Sequence, residues 1–125
     1  MTVAAGVGGQ LLDAIAARDY ERIEACFADN ASLRVLTPGP LREFEGAADA
    51  AGRYRFWLGP LAGFELIDGD VEDIADRVRI RYRFRGLDPE RGWQLNEHTG
   101  YATVEEGLVA ALSVTCTGFR PTAAP

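Results

Sequence analysis

The sequence predicts an α+β domain in which N-terminal helices pack on one face of a curved antiparallel sheet. Apolar residues recur at helical spacing in the first part of the chain, and after Pro60 the pattern changes to segments of alternating polarity. A chain of 125 residues, 47% of them hydrophobic, suits one domain with one core. Residues 1–125 are therefore predicted to form a single domain.

Three helices and one strand are predicted before Pro60. Apolar positions at helical spacing from Gly9 to Phe27 are interrupted at Arg18, and Asp19 after it can cap a second short helix. A strand then runs from Ala31 to Leu36, and an alanine-rich helix runs from about Gly46 to Leu58.

Four strands are predicted after Pro60, joined by polar or glycine-bearing connections short enough for antiparallel neighbours. Residues 121–125 are predicted to be a disordered tail. The four segments are Phe64 to Val71, Arg77 to Arg85, Trp93 to Val104 and Leu108 to Phe119.

Charge and composition exclude several classes of partner. The formal net charge is −6, which disfavours nucleic acid. No stretch approaches the roughly 20 apolar residues of a membrane span, and the first residues do not resemble a secretion signal. A soluble cytoplasmic protein without a membrane partner is expected.

Metal and cofactor sites are not predicted. His98 is the only histidine, and no Cys or His pair has ligand spacing, although a purely carboxylate site stays open. No glycine-rich nucleotide motif is present. Cys26 and Cys116 each stand among apolar residues, as buried free thiols do.

Three stretches together resemble the NTF2-like superfamily, in particular its SnoaL-like and ketosteroid-isomerase-like branch. They are "LLDAIAARDYERIEACFADNASL", "REFEGAADAAGRYRFWL", read as the third helix, and "GYATVEEGLVAAL", read as the last hairpin. The resemblance implies a cone-shaped half-barrel whose mouth holds a small apolar ligand. It also implies a homodimer formed through the convex face.

Alternation in the segment from Arg77 to Arg85 separates two faces. Every odd position is arginine, so the apolar even positions, among them Tyr82 and Phe84, are predicted to face inward. The outward arginines are expected to pair with acids such as Glu65, Glu72 or Asp76, or to line a subunit contact.

The next strand carries the candidate catalytic group, Glu97. The set Trp93, Leu95, Glu97, Thr99 and Tyr101 is more apolar than the set that contains His98, which favours the first set as the inward face. Burial would then raise the pKa of Glu97 toward neutrality and suit it to proton transfer. Two alternatives stay open: Glu97 pairs with an arginine or a backbone amide, or a bulge at Gly100 turns it outward. His98 is expected on the opposite face, at the surface or in a dimer contact.

The resemblance places Glu97 near the late-strand acid of ketosteroid isomerases. The positions of the isomerase base and first-helix tyrosine fall near Val35 and Leu11, which cannot do that work, so steroid isomerisation by that route is not expected. A limonene-type epoxide hydrolase needs an Asp-Arg-Asp set, and alternation turns Arg81 outward.

The predicted function is a cofactor-independent SnoaL-like cyclase, isomerase or lyase, acting by acid–base chemistry on a small apolar natural product such as a polyketide. A non-catalytic ligand-binding or scaffold protein is the alternative, and a limonene-type epoxide hydrolase is a further one. Glu97 and Tyr101 are the candidate catalytic residues. The candidate substrate-binding residues are Trp57, Phe64, Tyr82, Phe84, Trp93, Leu112 and Cys116.

Overall fold

A computed structural model describes residues 3–125, with side chains described from residue 6 onward. The N-terminal half contains three helices: α1 (Val3–Ala16), α2 (Tyr20–Ala25) and α3 (Ala47–Leu58). As predicted, α2 begins after Asp19, whose side chain accepts a hydrogen bond from the backbone N–H of Arg22 at 3.2 Å. None of the helices described is long and apolar enough to cross a bilayer.

The helices cover one face of a curved, open sheet, which confirms the predicted fold class. Its strands lie in the order β2-β1-β6-β5-β4-β3, and β7 pairs with the first residues of β5. The strands are β1 (Phe27–Leu36), β2 (Leu41–Glu45), β3 (Gly63–Ile74), β4 (Arg77–Asp88), β5 (Gly92–Glu105), β6 (Leu108–Cys116) and β7 (Arg120–Pro121).

The sheet is mixed rather than purely antiparallel. β1 runs parallel to β6, with Leu33 opposite Leu112 and Val35 opposite Val114. The other pairs are antiparallel. Because all four of these side chains are buried, this parallel contact forms the floor of the core beneath α1 and α3.

Two segments differ from the prediction. The stretch "REFE" was read with the third helix in the resemblance, but together with Leu41 it forms β2 against β1, and Gly46, at φ 93°, makes the turn into α3. The predicted tail begins with paired residues, because Pro121 lies opposite Gln94 and the backbone N–H of Thr122 donates to Trp93.

Arg18 joins the helical layer. It adopts a left-handed φ of 52° in the turn after α1. Its guanidinium donates to the carbonyls of Leu58 and Leu61, at 3.2 and 2.9 Å, and lies over the Phe64 ring. These contacts fix the end of α3 against the α1–α2 turn and the start of β3.

Candidate functional site

The inward face of β5 is the polar one, opposite to the prediction. Gln94, Asn96 and His98 are buried, and Asn96 and His98 are only 1% and 2% exposed. The cause is the β4–β5 register, in which Tyr82 lies opposite His98 and Phe84 opposite Asn96. Cross-strand partners share a face of the sheet, so the inward tyrosine and phenylalanine bring these two polar residues inward.

Glu97 therefore lies on the convex face, and the prediction that it faces the cone interior was wrong. Its carboxylate accepts hydrogen bonds from Nε and Nη2 of Arg83 at 3.1 and 3.0 Å. The arginine partner is one of the two alternatives given above. The other alternative, a bulge at Gly100, is not needed to turn Glu97 outward, because the register is regular at Gly100. The irregularity between β5 and β6 lies at Thr103 and Val104 instead.

Tyr101 and Trp93 share this outward face. The Tyr101 side chain is 46% exposed, so it cannot act beside a buried ligand. The Trp93 ring packs over Gly63, where an added Cβ would meet the indole at 3.1 Å. The two residues were assigned inward together with Glu97, and the same register moves all three outward.

The convex face carries the expected arginine pairs. Arg85 pairs with Glu65, Arg79 with Glu72, and Arg77 with Asp76. Arg81 binds two further acids, Asp68 at 3.2 Å and Asp70 at 3.0 Å. This Asp-Arg-Asp group lies outside the cone in contact with solvent, as the alternation of β4 predicts for Arg81.

Inside the cone, three side chains form a buried hydrogen-bonded chain. The Tyr82 hydroxyl lies 2.6 Å from Nδ1 of His98 and also shares a hydrogen bond with the Tyr54 hydroxyl. Burial lowers the pKa of His98 to about 3, so its imidazole is neutral at physiological pH. Burial also raises the pKa of both tyrosines, so both hydroxyls keep their protons.

The direction of this chain sets the tautomer of His98. If Tyr54 donates to Tyr82 and Tyr82 donates to Nδ1, every hydroxyl proton of the chain has an acceptor within it. In the reverse order Nδ1–H donates to Tyr82 and Tyr82 donates to Tyr54. In the first order the imidazole proton is on Nε2, which makes that nitrogen a hydrogen-bond donor.

Asn96 supplies a second donor on the same face. Its Oδ1 accepts from Sγ of Cys116 at 3.3 Å and from the Thr117 hydroxyl at 3.5 Å. Its Nδ2 is buried without a hydrogen-bond partner among the described residues. A buried donor in this state costs about 1–3 kcal/mol unless an acceptor reaches it, so it indicates a place for a ligand oxygen or a water molecule.

Aromatic rings surround these donors. The Trp57 ring stands edge-on to His98 at 5.2 Å, and the Phe84 ring does so at 5.6 Å. Trp57 is only partly buried, so part of this residue reaches solvent. Of the predicted substrate-binding residues, those lying on the inward side, in or at the edge of the core, are Trp57, Phe64, Tyr82, Phe84, Leu112 and Cys116.

Other inward positions are apolar. Leu11 and Val35, at the positions where the resemblance puts isomerase catalytic residues, are fully buried in the core. Cys26 and Cys116 are free and buried, as predicted. Within residues 3–125, no three His, Cys, Asp or Glu side chains come together in a way that could hold a metal ion.

Sequence reasoning missed Asn96, His98 and Tyr54. The signal for the first two was the length of the β4–β5 turn: Asp88 pairs with Gly92, so residues 89–91 form the connection. When such a connection has an odd number of residues, each even-numbered residue of the first strand pairs with an even-numbered residue of the second. The inward even positions of β4 therefore require inward even positions in β5.

Solved structures with similar folds are NTF2-like proteins and enzymes. A Xanthomonas campestris pv. campestris protein described as a polyketide cyclase is 18% identical over 90% of this chain and 89% of its own, with a TM-score of 0.73. An LEH-like epoxide hydrolase of M. tuberculosis is 17% identical, covering 94% and 83%, with a TM-score of 0.68. An NTF2-like protein of Burkholderia xenovorans is 12% identical, covering 91% and 88%, with a TM-score of 0.71. At these identities the likeness shows the fold, which is NTF2-like.

The family is shown by the sequence itself. The SnoaL-like domain family matches residues 9–112, which span α1 to the middle of β6. The chain belongs to the SnoaL-like domain family. No curated protein matches it significantly.

Proposed function

We propose that this chain is a cofactor-independent enzyme of the SnoaL-like class, a cyclase, isomerase or lyase, that acts on a small and largely apolar carbonyl compound. His98 and Asn96 take the place in this proposal that Glu97 held in the sequence prediction. The observation that carries it is the buried pair of donors on one strand face, the unpartnered Nδ2 of Asn96 and the neutral imidazole that Tyr82 holds at 2.6 Å.

The proposed chemistry is polarisation of a carbonyl group. The substrate oxygen accepts hydrogen bonds from Nε2–H of His98 and Nδ2–H of Asn96, which stabilise the negative charge that forms when an adjacent C–H bond loses its proton. A neutral imidazole can serve here because it donates a hydrogen bond without transferring its proton. The Tyr54–Tyr82 pair fixes the ring and the tautomer.

The proton itself passes to water or to a group of the substrate. Apart from the tyrosine hydroxyls, the buried polar side chains among the described residues are Gln94, Asn96 and His98, none of which is a carboxylate. This observation favours the second candidate, a non-catalytic protein that binds a carbonyl compound. Binder and enzyme use the same donors, and only turnover separates them.

The test uses 2-acetonaphthone, a neutral aromatic methyl ketone, as the probe. Binding is measured by calorimetry, and exchange of its methyl protons in D₂O is followed by proton NMR. An enzyme accelerates the exchange, and we expect His98→Phe and Asn96→Leu each to reduce the acceleration by about a hundredfold, the typical effect of removing one oxyanion donor.

The matched control is Glu97→Gln, one position along the strand on the convex face. It is expected to leave both binding and exchange unchanged. Binding without accelerated exchange would make the protein a binder. Loss of exchange in Glu97→Gln, with His98→Phe still active, would refute the assignment of the site.

A further inference from the structure

Arg53 of α3 lies among three aromatic rings on the outer side of the proposed site. Its guanidinium carbon is 4.5 Å from the centroid of Phe56, 4.9 Å from Phe44 and 5.5 Å from Trp57. Phe56 is 65% exposed, although a phenylalanine at a helix surface gains by burial. An arginine held in this way presents its planar face to the rings and its N–H edge to whatever binds beside it.

No acid neutralises this guanidinium among the described residues. The ion pairs formed by described residues do not include Arg53, and its Nε is buried without a hydrogen-bond partner. Arg79 and Arg85 also have an unpartnered Nε, but their terminal nitrogens bind Glu72 and Glu65. Arg53 has no such partner.

A second cation adds to the imbalance. Partial burial, followed by the positive charge of Arg42, lowers the pKa of Arg53. An anion beside Arg53 would offset this repulsion. Asp49 lines the same groove but forms no ion pair with Arg53. The groove encloses about 280 Å³ and is otherwise lined by Phe44, Ala48, Gly52 and Phe56.

The Trp57 indole contacts both the Arg53 guanidinium beside the groove and the ring of buried His98. Its centroid is 5.5 Å from the Arg53 guanidinium and 5.2 Å from the His98 ring. A flat molecule that packs against this ring has Arg53 at one end and His98 at the other. The apolar surfaces of Phe44, Phe56 and Trp57 suit the body of such a molecule.

We propose that Arg53 binds a carboxylate of the substrate, so that the substrate class is an aromatic or alicyclic keto acid. The carboxylate lies in the groove between β2 and α3, and the keto oxygen reaches Asn96 and His98. This inference rests on the proposed function, because it gives the ligand of that site its second anchor.

The experiment compares two probes by calorimetry, 6-acetyl-2-naphthoate and the neutral 2-acetonaphthone. We expect the keto acid to bind the wild type about tenfold more tightly or better, a typical effect of a hydrogen bond to a charged group. Arg53→Met keeps the stem of the side chain and is expected to abolish this advantage while leaving the affinity for the neutral ketone unchanged. Arg53→Lys is expected to restore part of it.

Arg55→Met is the matched control, since Arg55 lies on the same helix and stacks on Tyr20 at 4.5 Å, away from the groove. It should leave the ratio of the two affinities unchanged. Asp49→Asn should increase the ratio, and it serves as an independent test if Arg53→Met does not fold.

Three results would overturn the proposal: equal affinities of the wild type for the two probes, no binding of the keto acid at millimolar concentration, or an equal loss in Arg55→Met. The neutral ketone keeps the two hypotheses apart. If His98→Phe abolishes its exchange while Arg53→Met leaves the affinity ratio unchanged, the carboxylate anchor is refuted and the proposed function stands.

Discussion

Replacing Tyr82 by phenylalanine tests the buried hydrogen-bonded chain directly. The substitution removes one oxygen and leaves a ring of nearly the same shape. It deprives two fully buried groups of their partner, Nδ1 of His98 and the Tyr54 hydroxyl. Each unsatisfied buried group costs about 1–3 kcal/mol, so the free energy of unfolding should fall by roughly 2–6 kcal/mol.

This loss is large against a typical domain stability of about 5–15 kcal/mol. Urea unfolding followed by circular dichroism measures it as a lower midpoint with an unchanged slope. Tyr101→Phe is the matched control, because that hydroxyl lies on the convex face with the side chain 46% exposed. We expect the control to change stability by less than about 0.5 kcal/mol.

The double variant Tyr82→Phe, His98→Phe sharpens the test. If the cost arises from unsatisfied partners, the double variant is less destabilised than the sum of the two single variants, because both ends of the 2.6 Å contact are removed together. Additive losses, or a Tyr82→Phe variant as stable as Tyr101→Phe, would show that this hydrogen bond does not stabilise the core.

Three further predictions concern single groups. The pKa of His98 is about 3 in the folded protein and 6.5 in an unfolded chain, so the unfolded state takes up a proton first as pH falls. The contribution of His98 to the free energy of unfolding is then fully present above pH 6.5 and declines toward pH 3 by up to about 1.4 kcal/mol per pH unit. Urea unfolding at pH 7, 6 and 5 should show a shallower decline for His98→Phe than for the wild type. Equal declines in the two proteins would contradict this. Glu97→Gln and Arg83→Met should each cost less than about 1 kcal/mol in the same assay, since their ion pair is partly exposed; a loss above 2 kcal/mol would show a buried role. Arg18→Met loses two hydrogen bonds to backbone carbonyls and should lower the free energy of unfolding by roughly 2 kcal/mol, whereas an unchanged urea midpoint would mean that the α1–α2 turn does not depend on the guanidinium.

The sequence was sufficient for the fold because helix caps and strand alternation are local signals. Asp19 marks the start of α2, and the alternating arginines mark both faces of β4. It was insufficient for β2, where "LREFE" has neither strict alternation nor burial and becomes a strand only by pairing with β1. Tertiary contacts decided that segment.

The site was misassigned because apolarity was compared within one strand, while the register between strands decides the face. Trp93, Leu95 and Tyr101 form the more apolar set, but the β4–β5 pairing turns that set outward. The inward set also contains small residues where space is short: a Cβ on Gly100 would lie 3.0 Å from Leu112. The pattern within one strand could not predict that the inward face of β5 is polar and that its outward face is apolar.

The parallel pairing of β1 with β6 also dictates an order of assembly. The hairpins β3–β4, β4–β5 and β5–β6 join neighbours in the sequence and can form as soon as each second strand emerges from the ribosome. β1 can pair with β6, its neighbour on the side away from β2, only after β6 has been synthesised near the end of the chain. Until then the backbone N–H and C=O groups on that edge of β1 stay unpaired, so the incomplete protein exposes an aggregation-prone strand that the finished one keeps inside its sheet.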